Sequence, residues 1–455
     1  MKLLRFLIVA IFILISHNYA YADKGANGYI LKLKNDENIY VISEEERDII
    51  LDNRSSAYSL RAYDIEYIEP NYEVFLLGDT TQANWNYDAV NSSYAGEWGC
   101  FGNDIRIGVI DSGIYEHEFF GDSILPGYNF ITNTDDVCDD VGHGTFVSSI
   151  ISSMESDLYA TGISCKAKII PLKCFANNYE TGVADIDRAI RAAVDDYNCR
   201  IINMSFGMKF SSITLKNAIE YALSKGVILV AAVGNYGTEE VLYPAGYDGV
   251  IGVGSVNSTL EHSDFSHFNA SVDIAAPGEG IKAKTIDAFA RDSGTSFSAP
   301  HVSAAAAIAL CIDDALTPED FFDVITQTAF DLGTVGYDSY YGYGLLDIEA
   351  MCQRLIRKND FFASPVNIVG DTAQIILMNN TDKAAFPMIA TSEISNSGFA
   401  GADISKLSLS AYEKRTLSLK KPTATTKYYL WDSLIPLRPM SISRSYYCSL
   451  VKVTD

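Results

Sequence analysis

Residues 105–113 read Ile-Arg-Ile-Gly-Val-Ile-Asp-Ser-Gly, a β-branched apolar run that ends on a carboxylate and then on turn residues. Such a run predicts a strand over Ile105–Ile110 that is buried on both faces of a sheet. The same pattern recurs at Ala167–Leu172, Ile201–Met204, Val227–Val233 and Val250–Val253. Helical stretches separate these runs at Phe146–Met154, Val183–Tyr197 and Ser212–Ser224, and longer ones follow at Ser298–Cys311 and Pro318–Ala329. The alternation predicts an α/β fold with a mostly parallel central sheet flanked by helices. In open sheets of this kind, functional groups gather at the carboxyl ends of the strands. Asp111 stands at such an end.

The α/β pattern occupies only part of the chain. At 455 residues, more than one folded unit is expected. With 48% hydrophobic and 20% charged residues, the composition is that of a globular protein. A formal charge of −24 argues against nucleic acid or anionic lipid as a partner. Residues 360–455 hold ten Lys/Arg against eight Asp/Glu, so the acidity lies upstream and a boundary is expected near residue 357. A solvated surface accounts for that acid.

Residues 1–22 have the form of a signal peptide. Lys2 and Arg5 precede the apolar run Phe6–Ile15, and Ala20-Tyr21-Ala22 offers small residues before a cut at Asp23. An uncleaved N-terminal anchor is the alternative. Export is expected, with no membrane anchor in the mature form. Cys100, Cys138, Cys165, Cys174, Cys199, Cys311, Cys352 and Cys448 are an even set without CxxC spacing, so disulfides are permitted, their pairing stays open and a zinc cluster is not expected. Cys311, in an apolar helical run, reads as a buried free thiol.

Residues 23–80 form a small β/α unit, with a strand-like start at Gly28–Leu33, a polar helical stretch from Ser43 to Ile50, and Tyr67-Ile68-Glu69-Pro70-Asn71-Tyr72 near its end. From Phe361 onward, alternations such as Ala373–Met378 and Leu407–Ser410 suggest short antiparallel strands and a small β-sandwich over residues 357–455.

Three local sequences carry chemistry. Ile110-Asp111-Ser112-Gly113 holds an acid at the end of a buried strand, although Asp-Ser-Gly is also an ordinary turn. Gly142-His143-Gly144-Thr145 places an uncrowded imidazole just before a helix, where a structural His is an equal alternative. Gly294-Thr295-Ser296-Phe297-Ser298-Ala299-Pro300-His301 precedes an Ala-rich run. Proline favours the first turn of a helix, so Ser296 should sit at a helix amino end, where free N–H groups stabilise negative charge. A helix-capping Ser is the common alternative. The conjunction of all three contexts decides for chemistry.

The order Asp, His, Ser with these motifs resembles the subtilisin-type serine peptidases over about Asn84–Arg354. Gly342-Tyr343-Gly344-Leu345-Leu346-Asp347 resembles the segment that closes that family's catalytic domain. The resemblance implies a secreted endopeptidase that cleaves proteins through an acyl-enzyme. Ser296 would be the nucleophile, His143 the general base and then acid, and Asp111 the group that orients the imidazole. Ala231-Ala232-Val233-Gly234-Asn235 resembles the strand ending in the oxyanion-hole Asn, so Asn235 and the Ser296 backbone N–H would bind the oxyanion. Ser205-Phe206-Gly207, with Ala232, Val233 and Gly234, would line the substrate and the primary pocket, with a looser match at Asn177–Thr181 opposite. Many relatives have Gly two residues before the Tyr-Pro proline. Here Leu242 stands there, which implies a shallow pocket for small or modest P1 side chains unless the loop turns Leu242 away.

Calcium in the family is often held by an Asp after the catalytic strand and a loop after the His helix. The regions here read Glu116-His117-Glu118-Phe119 and Met154-Glu155-Ser156-Asp157-Leu158, and that Asp is not matched. No metal ligand is assigned. No cofactor is required for the chemistry, and structural Ca²⁺ is compatible but not predicted.

By the same resemblance, residues 23–80 would be an inhibitory propeptide that assists folding, with a cut between Leu76 and Asn84, and 84–356 the catalytic domain. A permanent N-terminal domain is the alternative. The tail, through Tyr428-Tyr429-Leu430-Trp431-Asp432, resembles immunoglobulin-like modules of secreted bacterial proteins and would bind a surface or stabilise the enzyme. The partners implied are protein or peptide substrates and the chain's own propeptide. The mature protein would be a monomer outside a bacterial cell. Two other classes compete: a silent protease-like binding or processing factor, and a lipase or esterase. The intact Asp111, His143, Ser296 and Asn235 oppose the first; Gly-Thr-Ser-Phe-Ser, which lacks the second Gly of a Gly-x-Ser-x-Gly elbow, opposes the second.

Overall fold

The computed structural model describes residues 29–33, 39–43, 47, 65–70, 85–154, 162–176, 181–286, 289–358, 360–365, 367–369, 372–384, 388–395, 398–420, 426–434 and 437–439. The leader 1–22, the cut region Leu76–Asn84, most of Asn177–Thr181, loop residues 155–158 and Cys448 lie outside them. The chain divides into two compact units, Met1–Thr80 and Thr81–Asp455.

In the first unit β1 (Tyr29–Leu33), β2 (Ile39–Ile42) and β3 (Ile65–Pro70) form an antiparallel sheet in the order β2-β1-β3. Leu31 and Ile42 are buried. Most of the helical stretch expected over Ser43–Ile50 lies outside the described residues.

The second unit opens with two short helices, α1 (Trp85–Ala89) and α2 (Ser93–Gly96). A seven-stranded sheet follows, built from β4 (Arg106–Asp111), β5 (Tyr128–Asn129), β6 (Lys168–Lys173), β7 (Ile201–Met204), β8 (Ile228–Ala232), β9 (Val250–Val256) and β10 (Ile274–Pro277). Its order is β10-β9-β8-β7-β4-β6-β5, and every pairing is parallel. From β4 the chain supplies the edge strand β5 and then β6 on one side, and afterwards β7 to β10 on the other. The carboxyl end of β4 is therefore the switch point, where an open sheet leaves a crevice. Asp111 ends that strand.

Alternate side chains enter two cores. Ile107 and Val109 of β4 face one with α3 (His143–Ile151), while Ile110 faces the other with α4 (Val183–Asp195) and α5 (Ile213–Ser224). Burial on both faces explains why the strands read as continuous apolar runs. The hairpin β11 (Ile281–Lys284) and β12 (Phe289–Asp292) leads into α6 (Thr295–Ile312). Helix α6 is apolar and long enough to cross a membrane, yet 94% of it is buried inside the protein. α7 (Pro318–Thr328), with a Thr317/Asp320 capping box, and α8 (Ile348–Arg357) complete the layer.

His301 of α6 ties α1 to this core. Its Nδ1 donates to the Phe297 carbonyl (2.8 Å) and its Nε2 accepts from Asn86 Nδ2 (3.0 Å). Burial pushes the imidazole down to about 4 from 6.5. The neutral ring therefore contributes stability that is complete above pH 6.5 and is lost as pH falls toward 4, by about 3 kcal/mol at most. Melting curves should show a Tm decline across this window that is shallower in His301→Gln; parallel declines would exclude the assignment.

Beyond α8, β13 (Phe361–Ala363), β14 (Asn367–Val369), β15 (Thr372–Asn379), β16 (Met388–Ser395), β17 (Gly398–Lys406), β18 (Lys414–Lys420), β19 (Thr426–Leu434) and β20 (Leu437–Pro439) form two four-stranded antiparallel sheets. β15 shows period-two alternation. Ile375 and Leu377 enter a small core of their own, while Ile376 and Met378 pack on the main core. Phe362 meets Trp98 edge-on at 5.7 Å. Asn367 accepts from Lys166 Nζ (2.7 Å) and donates to the Gly99 carbonyl (3.0 Å), in a space that a Cβ on Gly99 would fill. No disulfide joins any two of the described cysteines, and Cys311 is buried.

Candidate active site

Asp111 is 4% exposed, and its Oδ1 accepts from the Ser112 N–H (2.7 Å) and from His143 Nδ1 (2.8 Å). His143 is the first residue of α3, so the helix starts at the imidazole instead of just after it. Gly142 before it has φ of 95°, a left-handed conformation that costs glycine little. A Cβ on Gly144 would lie 2.2 Å from the Gly113 carbonyl oxygen, so glycine there lets the two segments touch.

The His143 side chain is 26% exposed. Burial lowers its proton affinity, but the adjacent Asp111, by charge and hydrogen bond, together with Asp139 and Asp292, raises it above the ordinary imidazole value. The carboxylate only accepts, so Nδ1 carries the proton and Nε2 keeps its lone pair. The ring lies 5.5 Å from that of Phe297, which packs on Phe146 at 4.4 Å.

Ser296, the neighbour of Phe297, is the second residue of α6. Its Oγ donates to the Ser205 carbonyl (3.1 Å), and Ser205 Oγ donates back to the Ser296 carbonyl (2.8 Å). Pro300 is the sixth residue of the helix, not in its first turn as expected. Proline has no N–H, so the Ser296 carbonyl loses its i+4 donor, and the Ser205 hydroxyl takes that place. Asn203 Nδ2 in turn donates to Ser205 Oγ (2.9 Å), and Ser303 Oγ to Asn203 Oδ1 (2.9 Å). The nucleophile candidate is thus held from the end of β7.

Asn235 follows β8. Its Oδ1 accepts from the Thr295 N–H and hydroxyl, both at 2.8 Å, and Thr295 Oγ1 accepts from the Gly234 N–H (3.1 Å). With Oδ1 committed, Nδ2 is the end able to donate outward, beside Gly294, where a Cβ would come within 3.2 Å. The Ser296 N–H has no i−4 acceptor this early in a helix. The Asn235 side chain is thus tied to the residue that precedes Ser296.

Leu242 is buried, and its Cδ1 lies 3.1 Å and 2.7 Å from where Cβ atoms on Gly207 and Gly234 would sit. Its side chain thus lies close to both Gly207 and Gly234. Met208 and Tyr243 exchange backbone hydrogen bonds at 2.8 Å just beyond, which fixes that approach. Ala232 and Val233 are buried, and Phe206 packs on Phe175 at 5.3 Å.

Near the expected calcium region, His117 Nε2 meets the Thr285 carbonyl (3.0 Å). Among the described residues no three His, Cys, Asp or Glu side chains converge on a metal position, and no step below uses one. Asp139 and Thr295 escaped the sequence reading. Their only signal is adjacency to Gly-His-Gly and to Ser296, which does not distinguish them from loop residues.

A profile of the subtilase family matches residues 102–344. The chain is 32% identical to the thermostable alkaline protease of Halalkalibacterium halodurans, over 62% of this chain and 76% of that one. It is 34% identical to the minor extracellular protease Epr of Bacillus subtilis, over 63% of this chain and 46% of the relative. A protease structure from Pseudoalteromonas arctica aligns with a TM-score of 0.55 and 24% identity, covering 60% of this chain and 97% of that one.

Proposed function

The chain belongs to the subtilase family and is a subtilisin-like serine protease; on that footing we propose that Asp111, His143 and Ser296 are its catalytic triad. The observation that carries the reading is the 2.8 Å contact between His143 Nδ1 and Asp111 Oδ1, which commits the imidazole to the tautomer with a basic Nε2. As substrate enters, the Ser296 hydroxyl leaves the Ser205 carbonyl, passes its proton to Nε2, and Oγ attacks the peptide carbonyl. The oxyanion takes hydrogen bonds from Asn235 Nδ2 and the Ser296 N–H. His143 then protonates the leaving amine, and water repeats the sequence to free the acyl group. A fluorophosphonate probe tests this: labelling should require both Ser296 and His143, and matured, folded protein that resists labelling would instead be a silent scaffold.

Leu242 supports a short primary pocket. Small or modest P1 residues such as Ala or Leu should be cleaved in preference to Phe or Tyr. Leu242→Gly should raise kcat/KM for Phe and Tyr peptides by about tenfold or more. A wild-type panel cut after Phe or Tyr but not after Ala or Leu would refute the pocket.

Residues 1–22 and the extracellular Bacillus relative support export. Residues 23–80 would act as inhibitory propeptide, a reading supported by the separate compact unit that ends at Thr80. The C-terminal sheets would stabilise the catalytic domain, supported by Phe362, Ile376 and Met378 on its core and by Asn367 on Gly99 and Lys166.

A further inference from the structure

Behind the Asp111–His143 pair stands another carboxylate, Asp139, which is 2% exposed and takes no part in the chemistry above. Its Oδ1 accepts from Ser112 Oγ (2.8 Å), Val141 N–H (3.0 Å) and Gly142 N–H (2.8 Å). Its Oδ2 accepts from the Thr145 N–H (2.9 Å) and hydroxyl (2.6 Å). The Ser112 hydroxyl accepts from the Gly144 N–H (2.9 Å), and the Ser112 N–H donates to Asp111 (2.7 Å).

These bonds share one target. The opening N–H groups of a helix lack partners within it, and Gly142 has no side chain to cap α3. Asp139 supplies the missing acceptor from outside the helix. It binds residue 142 before His143 and residue 145 after it directly, and residue 144 through Ser112. The same Ser112 touches the triad carboxylate.

We propose that Asp139 is a positioning residue of the protease reaction, holding the backbone on both sides of His143 so that the ring stays in line with Asp111. This rests on the triad reading above.

The charge adds a second effect. Burial pushes the Asp139 carboxyl up, but bonds from Thr145, Gly142 and Val141 more than offset it and hold it below the usual carboxylate value. It is an anion at neutral pH. The charged groups around the pair are Asp111 on β4, Asp292 on β12, Asp140 beside Asp139, and Lys173 on β6. Lys173 Nζ donates to the Ser112 carbonyl and to Asp140, both at 2.5 Å. Removing one negative charge from this set makes His143 easier to deprotonate, so the acidic limb of the rate profile should move to lower pH.

The test is kcat/KM against pH on a small chromogenic peptide for wild type, Asp139→Asn and Ser112→Ala, with Tm and fluorophosphonate labelling measured alongside. Asp139→Asn should lose about 10–100-fold in kcat, as expected for a misplaced catalytic group, and its acidic limb should fall. An unchanged rate overturns the proposal, and so does a lost rate with an unmoved limb, which would be a structural defect alone. If Asp139→Asn does not fold, Ser112→Ala decides. It keeps the charge and cuts one tie, so kcat should fall with KM and limb in place; an unaffected kcat sinks the idea. Wild type that fails to label would mean that the triad reading is wrong, a separate outcome.

Discussion

Ser296→Ala is expected to leave folded protein whose kcat on peptide substrates has fallen by about 10⁶-fold. That is roughly the loss that subtilisin itself shows when its serine is removed. In the proposed triad the Ser296 hydroxyl, which rests on the Ser205 carbonyl, is the attacking group, and alanine removes the atom that would form the ester. Binding should persist, because Ser205 Oγ still donates to the backbone carbonyl of residue 296. KM should therefore change far less than kcat. A variant that keeps more than about one percent of wild-type turnover, in protein free of contaminating protease, would move the nucleophile elsewhere. Any cut the chain makes within Leu76–Asn84 should also vanish in this variant, and mass spectrometry of the purified product would read that directly.

Asn235→Ala should cost about 10²–10³-fold in kcat, or about 2.7–4 kcal/mol of transition-state stabilisation, with little change in KM. This magnitude comes from the corresponding subtilisin residue. Asn235 would combine two roles: its Oδ1 anchors Thr295, and its Nδ2 would donate to the oxyanion in the proposed mechanism. Asn235→Asp separates them, because an aspartate keeps the acceptor for Thr295 and replaces the donor with a negative oxygen. Activity should stay as low as in the alanine variant or lower. Recovery in Asn235→Asp would show that anchoring, not donation to the oxyanion, is what the residue supplies.

The α/β class could be read from the chain because buried parallel strands have no polar face. Ile105–Ile110 and Val227–Val233 appear as unbroken apolar runs, and the sheet uses nearly the same residues. Helix starts were harder. α3 begins at His143 rather than Phe146, because its opening N–H groups are satisfied by Asp139, which lies four residues before the helix and not at the N-cap position, where Gly142 has no side chain. Pro300 gave the right end of α6 for the wrong reason: it lies well inside the helix, and its missing N–H is compensated at the Ser296 carbonyl by Ser205, 91 residues from Ser296. Of the two C-terminal alternations, Ala373–Met378 lies in β15, whereas Leu407–Ser410 falls in the loop between β17 and β18; nor did the alternation show that β15 turns Ile376 and Met378 toward the main core.

Local chemistry alone determined which residue types could react: an acid at a strand end, an imidazole between glycines, a serine before an apolar helix. These are properties of neighbours in the chain, and short-range patterns carry them. Only the tertiary structure decided what each group faces. It brought Leu242 between Gly207 and Gly234, locked Asn235 through Thr295, and tied Asp139 to Ser112. The physical reason is distance along the chain. A hydrogen bond or a filled pocket depends on atoms within a few ångströms, and folding brings those atoms from segments whose separate sequences bear no mark of one another.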